Sequence, residues 1–424
     1  MIKPAIVKCN ICEEKILLRF QLGYYNIPFV FNCPNCGISI SGIENIINGQ
    51  LEINNAIEID EKLEKVGYYG NFSVEFLNKR ISKFISIDDV ISQDFSPFMR
   101  TAMLFGNSQE FSKINDRICK FINFKNGKWN EIHSLFELYM NGKLDYVKKE
   151  IIKYSNEYNI VNELDAYTAL HELLVIGLND VLPDNSLKNY INISKEIFDN
   201  TKFNKMKEFV DYAKTKVSFK YLSSKIMNLY NRWIKDYEKY MAVVSLCIYD
   251  KLDKVNKENY ILSTIDFENM KIFYSDSYEL ILDLIWIPVG LNNIYERDNY
   301  NIFSNDCGIE NFDKYFLIKN KLNKSKALIE NEHFSIYLKM DRKVRNSISH
   351  FDYELENNSP KILFHDNDKD VEMYLVDFAK LCYENIVLIT YLNELFYSIE
   401  KYDYINKWLI LNIKFKRKWG NVYD

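Results

Sequence analysis

Two groups of residues in this chain have the types and spacing to do chemistry. The first is a cysteine quartet: Cys9-Asn10-Ile11-Cys12 and Cys33-Pro34-Asn35-Cys36-Gly37 form two C-x2-C pairs with twenty residues between them. Zn2+ takes four soft ligands at tetrahedral corners, and two residues between thiolates let one tight turn present both. Gly37, directly after the last cysteine, permits the left-handed conformation such a turn needs. With eight cysteines in the chain, two successive pairs arise by chance in only about 1% of sequences, so Cys9, Cys12, Cys33 and Cys36 are expected to hold a structural Zn2+.

The second group lies between Met340 and Tyr353. Wound as a helix at 100° per residue, Met340, Val344, Ile348, Phe351 and Leu355 fall in a sector about 80° wide and predict the core face. Arg342, Arg345, Asn346, Ser349, His350 and Tyr353 collect on the other side. Arg345 and His350 flank this polar stripe about 140° apart, so a phosphate lying over it is approached from both edges. Asn346 precedes His350 by four residues, the spacing at which an amide can orient an imidazole. Asp341 is placed to cap the helix. These types suit RNA cleavage without a metal. A histidine can take the proton of a ribose 2′-hydroxyl, and an arginine fork can neutralise the phosphorane that forms.

The cysteine pattern resembles a zinc ribbon over about residues 5 to 42, and the run Arg345-Asn346-Ser347-Ile348-Ser349-His350 resembles the HEPN superfamily. That superfamily's signature is R-x4-6-H, commonly with Asn after the Arg, on a helix of an α-helical bundle; here four residues intervene. The resemblance covers at most residues 205 to 424. It implies a metal-independent endoribonuclease, a toxin-like effector of prokaryotic antiviral defence (abortive infection), in which two protomers pair so that both motifs line one composite cleft. It implies Arg345, Asn346 and His350 as catalytic and Arg342, Ser349 and Tyr353 as substrate-binding. The partners would then be RNA, a second copy of the chain, and a phage or host trigger. In members silenced by a nucleotidyltransferase, a modified Tyr stands two residues after the His. Asp352 holds that position here and Tyr353 follows it, so control by adenylylation is not implied. The competing expectation is a non-catalytic HEPN-fold binding or scaffold protein whose ribbon recognises nucleic acid or a protein trigger.

The elements that must position these groups are mostly helical. Only 13 Gly and 7 Pro in 424 residues exclude an all-β fold with a turn every ten residues or so. The expected architecture is a small β-rich zinc ribbon (1–60), a helical middle domain (61–204) and a HEPN-like helical domain (205–424). Strands are expected at Ala5–Lys8, Lys15–Gln21, Phe29–Asn32, Ile38–Gly42 and Leu51–Ile59 as an antiparallel unit, with helical periodicity from about residue 70. Helical segments are read at Trp129–Met140, Leu144–Glu163, Ala166–Leu178, Lys205–Lys216 and Lys220–Tyr249. Asp180–Asn185 and Asn292–Asn305 read as connectors. A helix from Asp341 to about Leu355 is followed by a hairpin (Tyr353–Glu356 with Lys361–Phe364) and a long helix from about Val371 to Glu400.

The formal net charge of −5 excludes a protein that coats nucleic acid through bulk charge and confines any RNA site to a local groove. Lys8, Lys15 and Arg19 interleave with Tyr24, Tyr25, Phe29 and Phe31, and Lys414 to Trp419 form a basic aromatic run; both could meet RNA, although solvated charge is the plainer reading. No apolar stretch suffices for a membrane span, and free thiols point to a reducing compartment, so a cytoplasmic protein without membrane contact is expected. His133, His171, His333 and His365 read as surface or packing residues, and Cys119, Cys247, Cys307 and Cys382 as inert. The alternating Asp366, Asp368 and Asp370 lack the rest of a calcium loop and are assigned to solvent.

Overall fold

Alternation of apolar and polar residues builds the first sheet. In β1 (Ile2–Cys9) it turns Ala5, Val7 and Cys9 inward, and in β2 (Lys15–Gln21) it does the same for Ile16, Leu18 and Phe20. In the computed structural model, which describes residues 1–88, 90, 95–154, 158–328, 342–355, 359–365 and 370–410, β1 and β2 pair antiparallel with Val7 opposite Ile16. β3 (Ile27–Asn32), β4 (Ser39–Glu44) and β5 (Leu51–Asn54) form a separate antiparallel meander. The larger sheet adds β6 (Ala56–Ile59), β7 (Tyr68–Phe72) and β9 (Ser82–Lys83) in the order β6-β1-β2-β7-β9. β7 lies parallel to β2, a pairing that no hairpin signal foreshadows, so the β-rich region runs on to residue 83. Phe20, Phe29, Phe31 and Phe72 pack together, with Phe72 within 5.6 Å of each of the other three ring centroids.

The β region is stitched to the helices. β8 (Asn78–Lys79) pairs with β10 (Tyr260–Ile261), Val30 N–H donates to Ser263 O at 2.7 Å, and the buried Asn78 amide donates to Ser263 Oγ at 2.7 Å. The helices are α1 (Pro97–Phe105), α2 (Ser108–Phe124), α3 (Asn130–Met140), α4 (Leu144–Ile151), α5 (Glu163–Leu178), α6 (Ser186–Asn200) and α7 (Phe203–Lys216). They continue with α8 (Phe219–Lys235), α9 (Tyr237–Ile248), α10 (Phe267–Leu284), α11 (Trp286–Arg297), α12 (Phe312–Leu317), α13 (Arg342–His350) and α14 (Leu375–Ile410). One apolar core runs through all of it, from Ala5 to Ile399.

Several boundaries differ from the periodicity reading, each for a local reason. The Leu144–Glu163 stretch divides because Asn162 starts a new helix: its side chain accepts from Asp165 N–H, and Asp165 accepts from Asn162 N–H, a capping box. The Lys220–Tyr249 stretch breaks at Asp236 into α8 and α9. The Asn-rich connector starts later than composition suggests, because Asn292 and Asn293 are buried within α11 and Asn293 bonds the Tyr300 carbonyl. Val371–Tyr374 is strand β13 rather than helix, since it pairs with β12 (Lys361–Phe364), which pairs in turn with β11 (Tyr353–Leu355). Among the described residues no helix is long and apolar enough to cross a membrane. The run from Lys414 to Trp419 and the residues His333, Met340, Asp341, Asp366 and Asp368 lie outside the described residues.

Candidate functional site: a four-cysteine cluster and the end of helix α13

The cysteines converge from two matching turns. Cys9 ends β1 and Cys33 follows β3; Cys9 N–H bonds Glu14 O and Cys33 N–H bonds Ile38 O, while Glu13 N–H returns to Cys9 O and Gly37 N–H to Cys33 O. Glu13 (φ 61°) and Gly37 (φ 78°) occupy equivalent left-handed positions, so only one of the two turns uses glycine. The four Sγ atoms lie within 4.8 Å of one another, with Cys9–Cys36 at 3.7 Å and Cys12–Cys33 at 3.6 Å. A tetrahedron with Zn–S bonds of about 2.3 Å has sulfur–sulfur edges of about 3.8 Å, so the cluster is compatible with a structural zinc site. Burial pushes the Cys33 thiol up to about 12, and a bound cation would override that by taking the thiolate. Cys12 is also raised by burial, but hydrogen bonds from Glu14, Cys36, Asn35 and Cys33 outweigh this and bring it to about 7.

Helix α13 is anchored by Val344, Ile348 and Ser347, all buried, and its other side faces outward. Ser349 and His350 are exposed, and Arg345 and Asn346 are half-buried. Arg342 begins the helix, but its side chain lies outside the described residues. Arg345 Nη2 reaches Glu279 Oε1 of α10 at 2.9 Å, a half-exposed ion pair. Among the described residues no hydrogen bond or ion pair engages the His350 imidazole, and none joins it to Asn346.

The helical wheel fails beyond His350. Phe351 and Leu355 are 78% and 43% exposed rather than in the core, because the helix stops and Phe351 turns left-handed at φ 57°. Asp352 N–H then bonds Ser347 O and Phe351 N–H bonds Ile348 O, the Schellman arrangement with phenylalanine where glycine is usual. Tyr353 therefore leaves the polar stripe. It starts β11, where its hydroxyl accepts from Lys271 Nζ at 2.6 Å, donates to Glu268 at 3.2 Å, and its ring meets Phe267 edge-on.

Three further polar groupings were not legible from the sequence. Lys271, 9% exposed, lies 4.9 Å from the Tyr353 ring centroid and 5.6 Å from that of Phe351. Burial alone would lower its pKa; the bonds to Glu268 and Tyr353 outweigh this and raise it. His365, at the end of β12, has Nδ1 2.9 Å from Asp370. His171 and Glu394 form a buried hydrogen bond of 2.8 Å, with the imidazole stacked on Tyr397 at 3.8 Å. That pair lines a cavity of about 1190 Å3 between α5, α6 and α14. Its neighbours Glu172 and Asp180 are both raised by burial. Histidine adjacent to charged residues at three- or four-residue spacing is a usable local signal, but Glu394 is 223 residues from His171. Of the remaining cysteines, Cys382 is fully buried, and burial pushes Cys247 up to about 12.

Comparison of the chain with protein-family models, with curated proteins and with solved structures found no match.

The buried pair yields a direct stability test. Glu394→Ala leaves the buried His171 imidazole without its hydrogen-bond partner, and such loss costs about 1–3 kcal/mol, whereas Glu394→Gln keeps a hydrogen-bonding group and costs less. Urea denaturation of both variants should show that order; equal and negligible losses would remove the pair from the account of the bundle's stability.

Proposed function

We propose that this protein is a metal-independent endoribonuclease that cleaves RNA at the end of α13, with two copies pairing to form a composite cleft. We further assign it to the toxin-like effectors of prokaryotic antiviral defence, on the strength of the HEPN-like motif. The observation that carries the catalytic reading is the placement of His350: exposed, unengaged among the described residues, and on the same helix as Arg345, a helix whose other face is locked into the core.

These side chains supply the nucleophilic half of the reaction. His350 takes the 2′-proton, the 2′-oxygen attacks phosphorus, and Arg345 neutralises the charge gathered on the phosphorane. The Glu279 pair does not block this role. A half-exposed surface pair contributes about 0–1 kcal/mol, less than a bidentate charge-assisted contact to phosphate, so substrate can take the Arg345 fork. The same pair favours the second reading, a non-catalytic binding or scaffold protein, because Arg345 already has a partner; the open His350 argues the other way. In this proposal Cys9, Cys12, Cys33 and Cys36 hold a structural Zn2+ that fastens the two turns together, and the cation takes no part in cleavage.

His350→Ala should lower the cleavage rate by about a hundredfold or more, and Arg345→Ala by a similar factor. Arg345→Lys should recover only part, because the planar fork is lost, and Asn346→Ala should be milder. Unchanged circular dichroism is expected for all of them, as the side chains face outward. Wild-type cleavage in EDTA that survives the double change at Arg345 and His350 undiminished would overturn the site. For the cluster, elemental analysis should find about one zinc ion per chain, with affinity falling as pH falls because each bound thiolate releases a proton. Protein isolated without chelators and free of zinc would overturn that assignment.

A further inference from the structure

His365 is fastened to the motif helix by its backbone. Ser347 Oγ, buried in the middle of α13, donates to the His365 carbonyl at 2.5 Å, and His365 N–H donates to Asp352 O at 3.0 Å. Ser347 lies three residues before His350 and Asp352 two after, so these bonds bracket the turn that carries His350 and hold His365 at the same end of α13. The side chain is 27% exposed. Its Nδ1 donates to Asp370 Oδ1 at 2.9 Å, which leaves the second proton of the imidazolium on Nε2. Nε2 is 3.7 Å from Glu354 Oε1, too far for a hydrogen bond, so this proton is not committed to that carboxylate.

We infer that His365 is a second catalytic residue, the general acid that protonates the leaving 5′-oxygen. This rests on the reading of α13 as an RNA-cleavage site and completes its chemistry. His350 removes the 2′-hydroxyl proton as the 2′-oxygen forms its bond to phosphorus. The bond from phosphorus to the 5′-oxygen breaks, and that oxygen takes the Nε2 proton of His365. The products are a 2′,3′-cyclic phosphate and a 5′-hydroxyl; His350 ends protonated and His365 neutral, and water exchanges the two protons back. No oxidant, metal or co-reactant enters.

The surroundings of His365 suit the acid. Among the described residues, the charged groups facing it are Asp370 just before β13, Asp352 in the turn after α13 and Glu354 on β11. The Asp370 hydrogen bond is the strongest influence and raises the imidazole above its ordinary value; desolvation, next in size, opposes it, and the charges of Asp370, Asp352 and Glu354 add to the rise. A raised pKa keeps the proton in place to a higher pH than an unperturbed imidazole would hold it. Activity should therefore fall as pH rises through the His365 pKa. Asp370→Asn, which removes the carboxylate charge, should move that alkaline limb to lower pH.

The decisive test varies the leaving group. A thiolate has a conjugate acid of pKa about 8.5 and departs without an acid, whereas a 5′-alkoxide does not. An oligoribonucleotide with a bridging 5′-sulfur at one linkage, and its all-oxygen counterpart, would be assayed with wild type, His365→Ala, Asp370→Asn and His350→Ala. The expected result is a loss of about a hundredfold or more for His365→Ala on oxygen, recovered to near the wild-type rate on sulfur. His350→Ala should stay impaired on both. Because the bonds to Ser347 and Asp352 use the His365 backbone, His365→Ala should keep the fold, which circular dichroism checks. Equal impairment of His365→Ala on both substrates, or an alkaline limb unmoved in Asp370→Asn, would overturn the acid role while leaving the α13 site standing. Cleavage by wild type that His350→Ala leaves intact on both substrates, or no cleavage by wild type at all, would overturn the α13 reading itself and this inference with it.

Discussion

Burial of one long helix organises this molecule. α14 spans 36 residues and carries buried apolar residues around its circumference, among them Val376, Phe378, Ala379, Tyr383, Ile386, Ile389, Leu392, Leu395, Phe396 and Ile399. A helix apolar on every side is stable in water only when other elements surround it. Here α5 to α11 all contact it. The requirement reaches both candidate regions. At its first turns Phe378 meets Phe267 of α10 and Phe364 of β12 at 5.3 and 5.8 Å, and Phe267 meets Tyr353, so the hairpin that follows α13 is seated on the helix. Four turns further on, Glu394 closes onto His171 and Ser398 onto Ser194.

The polar end of α13 inherits its geometry from that seat. Ser347 faces inward and is tied to the hairpin, which obliges Ser349 and His350 to face outward. The left-handed Phe351 ends the helix with His350 as its last residue. A non-glycine residue in that backbone conformation costs about 1 kcal/mol or more, and here Phe351 is 78% exposed beside Lys271, so burial of its ring does not offset the cost. Strain of this kind collects at functional surfaces, and it adjoins the histidine on which the cleavage reading depends.

Local patterns carried much of this into the sequence. Both C-x2-C pairs are complete within single turns, and their convergence needs only two adjacent hairpin-like elements. Val344 and Ile348 inside, with His350 outside, follow from 3.6-residue periodicity. That periodicity holds only while the helix lasts, and nothing at Phe351 marks its end, since the usual glycine is missing; hence Phe351, Leu355 and Tyr353 were placed on the wrong faces. The parallel β2–β7 pairing, the His171–Glu394 bond and the seating of His365 against Ser347 join residues far apart in the chain. Such contacts arise from packing, and a single sequence carries no local mark of them. Asn292 and Asn293 show the converse, with loop-forming residue types held in a helix by burial.

The proposed nucleophile at the end of α13 is the 2′-hydroxyl of RNA. This assignment is tested most directly by incubating the protein in EDTA with an oligoribonucleotide and with the same strand carrying 2′-deoxyribose on the 5′ side of the cleaved linkage, then identifying the new ends by mass spectrometry. The expected result is 2′,3′-cyclic phosphate and 5′-hydroxyl ends from the ribose strand and an intact linkage at the deoxy position. Cleavage of the deoxy linkage, or 5′-phosphate ends from the ribose strand, would contradict it.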